Sequence, residues 1–246
     1  MTVSGKRAIV MGASSGMGLE IAKMLLDMGW TVGVAARRTQ LLEDVCSHCP
    51  ERAVAAEIDV NSADAADRLM QLADKLGGKV NLYVHASGIG KTNMTLTPAT
   101  ELATVETNAM GFTRMVTAMF GRMAANGGGH IAAITSIAGT KGLGAAPSYS
   151  ATKAFQNCYL QALEQQAAMR GLNITFTDVR PGFVDTALLS GDSYPMLMDC
   201  RHTARLILKA ILAHRHVAVV DWRWRVLTAV WRRVPRWLWR RLNIHK

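Results

Sequence analysis

What the chain is short of narrows its class before any motif is read. Among 246 residues there are four cysteines, Cys46, Cys49, Cys158 and Cys200, too few for the disulfide framework of a small secreted scaffold. Cys46-Ser47-His48-Cys49 has a redox or zinc spacing. No second ligand pair lies near it, and it falls at the end of an expected surface helix, so reduced thiols and no metal are expected. No apolar run is long and charge-free enough to span a bilayer. The apolar stretch from Ala8 follows Lys6-Arg7, but Gly12, Gly16, Gly18 and Glu20 interrupt it. That suits a strand and turn better than a secretory signal, and a cytoplasmic protein is expected. There is no internal repeat and no flexible interdomain linker. Acids are scarce: 18 Asp and Glu stand against 28 Lys and Arg, a formal charge of +10.

That excess of positive charge is local. From His214 to Lys246 there are eight arginines and one lysine against one aspartate, which leaves the preceding 213 residues with only +2. Five of the six tryptophans (222, 224, 231, 237 and 239) lie in the same segment. The basic balance describes a tail and not the body.

What is present is a core. Half the residues are hydrophobic, enough for one α/β domain of this length. Short apolar runs at Lys6–Met11, Thr31–Ala36, Ala53–Ile58, Val80–His85, His130–Thr135, Asn173–Val179 and Val217–Val220 read as strands. Between them lie helical stretches: Leu19–Met28, Thr39–Cys46, Asn61–Leu76 with Asn61 or Ser62 as cap, and a long region from Met94 to Asn126 with its methionines inward. Gly127-Gly128-Gly129 breaks that region, and Ala151–Met169 and His202–Ala213 follow. Phe183 to Cys200 reads as a loop with an apolar side made of Phe183, Leu188, Leu189, Tyr194, Met196, Leu197 and Met198. The alternation predicts a doubly wound parallel sheet between two helix layers, a three-layer α/β/α single domain (1–221) with a basic, Trp-rich helical extension (222–246).

Three features carry chemistry. Tyr149-Ser150-Ala151-Thr152-Lys153 opens a helix, where positions four apart share a face; the ammonium should draw the phenol's pKa down and make it a proton donor or acceptor. Gly12-Ala13-Ser14-Ser15-Gly16-Met17-Gly18 joins the first strand to the first helix, which sets backbone N–H groups and a helix N-terminus against a pyrophosphate. The second strand ends in Arg37-Arg38. No acid stands there to bind ribose hydroxyls, whereas two guanidiniums suit a 2′-phosphate.

With Gly12, Gly16, Gly18, Asp59, Asn108, Ser136, Tyr149, Lys153 and Pro181-Gly182 in this order, the chain resembles the short-chain dehydrogenase/reductase family over about residues 5 to 220, in its single-domain Rossmann branch. The resemblance implies that Tyr149 is the general acid/base, that Lys153 tunes it and binds the nicotinamide ribose, and that Ser136 holds the substrate oxygen. Asn108 would support a water relaying protons to Lys153. Asp59, with Val60, would meet the adenine, and Pro181, Gly182, Val184 and Thr186 would line the nicotinamide side. After the fourth strand the family pattern Asn-Asn-Ala-Gly is replaced by His85-Ala86-Ser87-Gly88. Ala86 and Gly88 keep the backbone approach to the cofactor, and His85 is expected to be packed and hydrogen-bonded, not a second base.

The expected function is an NADP(H)-dependent oxidoreductase, with NAD(H) the second choice, acting on a carbonyl or alcohol, with reduction of a lipophilic ketone or β-ketoacyl chain as the favoured direction. Non-catalytic NADP-binding as a redox sensor or membrane scaffold is the competing class. A β-ketoacyl reductase acting on an acidic carrier protein differs in substrate only. At 100° per residue, Leu227, Val230, Trp231, Val234, Trp237, Leu238 and Leu242 share one face of the tail, with Arg225, Arg232, Arg233, Arg236 and Arg240 opposite. Arg241 and Trp239 fit neither face, and Pro235 must interrupt or restart the helix. Such a helix suits a membrane interface, at the inner face of the membrane; the alternative is that it packs on the body or on a sister subunit over the active-site cleft. Nucleic acid is not expected. The family implies a homodimer or homotetramer paired through the helices of Asn108 and Tyr149, with Met110, Met115 and Met119 available to serve.

Overall fold

Runs of Ala, Val and Ile become a seven-stranded, fully parallel sheet in a computed structural model that describes residues 5–189 and 194–244. The strands are β1 (Arg7–Met11), β2 (Thr31–Ala36), β3 (Ala53–Glu57), β4 (Leu82–His85), β5 (Gly129–Ile134), β6 (Ile174–Arg180) and β7 (Val217–Val219), in the order β3-β2-β1-β4-β5-β6-β7. The order reverses at β1, where Ile9 pairs with Gly33 of β2 on one side and Tyr83 of β4 on the other. A crevice opens beyond the carboxyl ends of the strands at such a reversal.

The inner strands β1, β2, β4 and β5 are buried on both faces, so their sequences are mostly apolar and do not alternate, whereas the edge strands β3 and β7 keep exposed positions. On one face, helices α3 (Ala65–Lys75), α5 (Phe112–Ala125) and α6 (Pro147–Met169) bury a core that includes Tyr83, Phe112, Met115, Met119 and Phe176. On the other, α1 (Gly16–Asp27), α2 (Gln40–His48) and α7 (Cys200–Leu212) bury Ile21, Leu25, Val34, Leu42, Val84 and Ile207. This is the expected three-layer, Rossmann-type single domain.

Several local expectations need correction. Neither Asn61 nor Ser62 caps α3, which begins at Ala65: the Asn61 amide donates to Thr107 Oγ1 at 3.0 Å, and the Ser62 hydroxyl donates to Asp64. The region from Met94 to Asn126 is not one helix. α4 (Pro98–Val105) runs into a π-helical segment, Glu106–Gly111, before α5 begins. Its methionines divide: Met115, Met119 and Met123 are in the core, whereas Met94 and Met110 are 64% and 57% exposed. Because Met115 and Met119 serve this chain's own core, they are not free for a subunit interface. In the loop after β6, Leu197 is exposed and Met198 is buried, while the other five apolar residues named from the sequence line a cavity. Residues 190–193, which the sequence placed in that loop, lie outside the described residues, as do 1–4 and 245–246.

The tail forms α8 (Trp222–Arg233) and a short α9 (Arg236–Trp239), separated at Pro235. The face deduced from a single continuous helix is split. Trp224 and Thr228 are the buried positions, with Leu227, Trp231 and Val234 partly covered. Val230, Trp237, Leu238 and Leu242 point outward, at 56%, 57%, 37% and 45% exposure. Trp224 joins Ile137, Val184 and Met198 in a small third core, so the tail packs on the body. Trp239 fits neither face because the helical count restarts at Pro235: its Nε1 donates to Gly142 O at 2.8 Å, and Lys141 lies 5.9 Å over its ring while donating to Val234 O at 2.9 Å.

Candidate active site

The loops that follow β1, β4, β5 and β6 all emerge on one edge of the sheet because the strands are parallel. They bring the distant motifs together. Ser15 is extended and α1 starts at Gly16, so its unpaired N–H groups face the crevice. Two positions around this turn tolerate no side chain: a Cβ at Gly12 would lie 2.7 Å from Ser87 N, and one at Gly18, in the first turn of α1, only 2.2 Å from Gly12 O. The turn thus packs against the β4 loop and its own helix, leaving the backbone surface open.

An open groove of about 450 Å³ runs across this edge. Gly12, Ser14, Ser15, Gly16, Met17 and Gly18 line one part of it, Arg37 and Arg38 another, and Asp59, Val60, Ala86, Gly88 and Thr186 complete it. Both arginines are exposed, and neither makes an ion pair with a described residue. Asp59 Oδ1 accepts from Asn61 N at 3.0 Å, which fixes its carboxylate at the strand end. A glycine cradle, a helix N-terminus and two uncommitted guanidiniums along one groove fit an extended dinucleotide.

A second cavity, about 340 Å³, adjoins the first along Met17, Ala86, Gly88, Ile134, Thr186 and Leu188. Ser136, Tyr149, Lys153, Pro181, Gly182 and Val184 line it. Every site residue expected from the sequence except Asn108 therefore lines one of two connected spaces. Asn108 lies behind them, fully buried, with its side chain accepting from Ile89 N at 2.9 Å and donating to Ile89 O at 2.7 Å.

Tyr149 sits in the first turn of α6, which begins at Pro147 and not at Ala151. Gly90 lies against its ring, where a Cβ would come within 2.5 Å. Burial pushes the phenol above its ordinary pKa, and a hydrogen bond from Ser136 draws it partly back. This reverses the expected lowering. Lys153 Nζ lies 5.7 Å from the Tyr149 ring centroid and donates to Ile134 O at 3.1 Å and Gln156 Oε1 at 3.0 Å. Burial pushes the ammonium itself down to about 8, against the attraction of the Asp178 carboxylate. At neutral pH these groups leave the proton on Tyr149, a donor beside the cavity. Ser136 Oγ accepts from Ala138 N at 3.0 Å, which leaves its own proton free to donate to Tyr149.

His85 is packed, as expected: its Nδ1 lies 2.9 Å from the Tyr83 hydroxyl and its ring meets Phe112 edge-on. Burial, with Lys153 nearby, lowers its pKa to about 3, so it is neutral at working pH. The Cys49 thiol donates to Glu51 at 2.9 Å, and burial raises both it and Cys46.

The roof matches the alternative kept for the tail, packing on the body over the cleft, but Trp224 and Ile244 are not among the tail residues assigned to its apolar face. Trp224, Leu227, Trp231 and Ile244 from the tail line the second cavity together with Phe183, Leu189, Tyr194 and Met196. The spacing 224, 227, 228, 231 was the available signal, since it marks one helical face. Nothing in the sequence but its place three residues beyond Lys153 points to Gln156.

The short chain dehydrogenase family model matches residues 6–194. An uncharacterized oxidoreductase of Myxococcus xanthus is 31% identical over 231 residues, covering 91% of this chain and 90% of that protein. A short chain dehydrogenase of Burkholderia cenocepacia, solved in complex with NADP, superposes with a TM-score of 0.84 at 23% identity and covers 99% of this chain and 100% of its own. A short-chain type dehydrogenase/reductase of Mycobacterium marinum gives 0.79 at 23%, covering 89% and 95%. A matched family model, a relative similar over nearly its whole length and the convergence of Ser136, Tyr149 and Lys153 on one cavity lead to the same assignment: the chain belongs to the short-chain dehydrogenase family and is an NAD(P)-dependent oxidoreductase.

Proposed function

We propose that this protein is an NADPH-dependent reductase of lipophilic ketones or β-ketoacyl compounds, acting at the inner surface of a membrane. The single observation that carries the substrate reading is the second cavity, in which Ser136, Tyr149 and Lys153 form a polar floor beneath walls of Phe183, Leu189, Met196, Trp224, Leu227 and Trp231. An apolar chain would be desolvated along those walls while its one carbonyl meets the polar floor. The preference for NADPH rests on Arg37 and Arg38, which stand free at the groove and match a phosphate in fork geometry. The NADP bound to the Burkholderia relative supports the same choice.

When bound, the nicotinamide supplies the hydride. The protein's own groups do the rest. The Ser136 hydroxyl and the Tyr149 phenol are aimed at the carbonyl oxygen, where negative charge develops. Tyr149 gives its proton to that oxygen. The Lys153 ammonium stabilises the phenolate left behind. Asp59 and Val60 would hold the adenine end, and Gly12 to Gly18 the pyrophosphate.

The outer side of the tail supports the membrane reading. Trp222, Val226 and Val230, spaced four apart on α8, are 69%, 58% and 56% exposed. Arg225, Arg232, Arg233, Arg236, Arg240 and Arg241 are all exposed, and none pairs with a described acid. Tryptophan beside unpaired arginine is the composition of an anionic lipid interface. No helix among the described residues is long and apolar enough to cross a membrane, so the contact would be peripheral. Pairing of subunits through α6 and the helical run that holds Asn108, α4 with the π-helical segment after it, is supported by Leu102, Met110 and Phe155, which are 68%, 57% and 39% exposed.

The test is a series of ketones and acyl substrates of rising chain length, assayed with NADPH and then with NADH, for the wild type and Tyr149→Phe. Activity rising with chain length and lost in Tyr149→Phe, with NADPH binding retained, is the expected result. Nucleotide binding with no turnover on any carbonyl would favour a redox sensor or scaffold.

A further inference from the structure

The rear of the site contains an arrangement that the expected chemistry did not require. Phe112 N–H reaches back five residues to Thr107 O, as the π-helical segment demands. The Asn108 carbonyl is thereby turned toward α6, and there the Gln156 side chain meets it, with Nε2 donating to Asn108 O at 2.8 Å. The other end of the same amide, Oε1, accepts from Lys153 Nζ at 3.0 Å. The amide's orientation is dictated, because an ammonium only donates and a carbonyl only accepts. Asn108, Lys153 and Gln156 are 0%, 4% and 1% exposed, so this bridge lies in protein interior. Hydrogen bonds there are strong when satisfied and costly when broken.

We propose that Gln156 is a positioning residue that takes the place of a relaying water: its amide spans Asn108 O and Lys153 Nζ, holds the ammonium behind Tyr149 and closes the rear of the site to proton exchange. A carboxamide accepts and donates hydrogen bonds but does not release a proton at neutral pH, which a water chain does. The α5 side of Lys153 therefore supplies position and charge, and protons reach Tyr149 from the open cavity. Two of the three ammonium protons are held by Ile134 O and Gln156 Oε1. The other charged or titratable groups around Lys153 are the phenol of Tyr149, the neutral His85 and, through space, the Asp178 carboxylate.

The proposal predicts opposite effects from two near-isosteric changes. Gln156→Glu places a carboxylate against the ammonium, and the Lys153 midpoint should rise by about one pH unit or more. Gln156→Met removes the acceptor at similar volume, and the midpoint should fall by about half a unit or more. The direct readout is an NMR titration of ¹³C-methylated lysines in the full chain without nucleotide, with the Lys153 signal assigned by its loss in Lys153→Arg. This readout stands apart from the proposed reductase activity, so failure of one is distinguishable from failure of the other. If reduction is observed, the alkaline limb of kcat/KM should move in the same two directions while the NADPH Kd stays within about threefold. A residue that merely fills space would shift thermal stability and leave the midpoint alone. A midpoint unchanged in both variants overturns the proposal. Should the glutamate variant fail to fold, an unchanged midpoint in Gln156→Met overturns it equally.

Discussion

The indole of Trp224 lies directly on the α-carbon of Gly182. A Cβ at that glycine would sit 2.2 Å from the indole Cε2 and 2.3 Å from Nε1. This contact joins the loop after β6 to the tail and fixes the roof over the polar floor. It also explains why glycine follows Pro181: any side chain there would push α8 away. Gly182→Ala is therefore an overpacking change and should cost about 1–3 kcal/mol. Trp224→Ala removes a fully buried ring and should cost about 3–5 kcal/mol. Because the second change makes room for the first, the double variant should be more stable than the sum of the two by more than about 0.5 kcal/mol. Urea unfolding of the four proteins measures this coupling, and strict additivity would refute the contact.

Arg37 and Arg38 make the nucleotide prediction. Neither has an acidic partner among the described residues, and both line the groove. Replacing both with serine should raise KM for NADPH on the order of tenfold to a hundredfold, since two exposed charge pairs worth about 1 kcal/mol each come to roughly 2 kcal/mol. KM for NADH should change by less than about threefold. Equal losses for both nucleotides would mean that the arginines bind something shared, such as the pyrophosphate.

Stability should fall in acid, and two buried histidines set the sign. Burial lowers His85 to about 3 and His130 to about 4, the latter helped by the neighbouring His214 ring. Both are neutral in the fold, while in the unfolded chain they titrate near the ordinary value of about 6.5. Their contribution is complete above that value and is lost as pH falls through it toward 4 and 3. Each should remove on the order of 1.4 kcal/mol per pH unit within that window. His130→Asn, which can keep a bond to Thr177, should reduce the slope of unfolding free energy between pH 6.5 and 5 to roughly half. An unchanged slope would exclude His130 as a source.

The sheet and the floor of the site could be read from the sequence because their determinants are local or sequential. Continuous apolar runs bounded by Gly or Asp give the strands, and Tyr149 and Lys153 share a helix face by spacing alone. Gly12, Asp59, Ser136 and Pro181 each end or follow a strand, so a parallel sheet carries them to one edge. The inward side of the tail could not be read this way. Which side of α8 faces inward depends on the entry angle set by Asp221, whose φ is 72° and whose side chain caps the helix by accepting from Arg223 N. Nothing in the apolar count records that angle, and a helix with apolar residues on two sides offers two solutions. The Tyr149 pKa failed for a related reason: helical spacing shows that a cation is near, but not how far burial opposes it. Gln156 escaped notice because its partners, Asn108 and Lys153, meet it only after a π-helical turn redirects a carbonyl.

That two-sidedness of α8 leads to the membrane prediction. The inner face, Trp224, Leu227 and Trp231, is part of the cavity wall, so deleting the tail would remove substrate contacts along with any lipid contacts. Point changes on the outer face separate the two. Trp222→Ser together with Trp237→Ser removes two rings that are 69% and 57% exposed and that contribute little to folding. Arg236→Gln with Arg240→Gln removes two unpaired charges, each worth about 1 kcal/mol at an anionic leaflet before screening. Flotation with vesicles of phosphatidylcholine and phosphatidylserine should recover the wild type, with affinity falling as salt rises. The double tryptophan variant should lose most of that recovery, and the double arginine variant should show a weaker salt dependence and lose about tenfold or more of its affinity. Turnover of a short, water-soluble ketone should stay within about twofold in both variants, because the inner face is untouched. Recovery equal to wild type in both variants would remove the membrane claim and leave the exposed stripe as a candidate subunit contact, to be read from the sedimentation velocity of the same proteins.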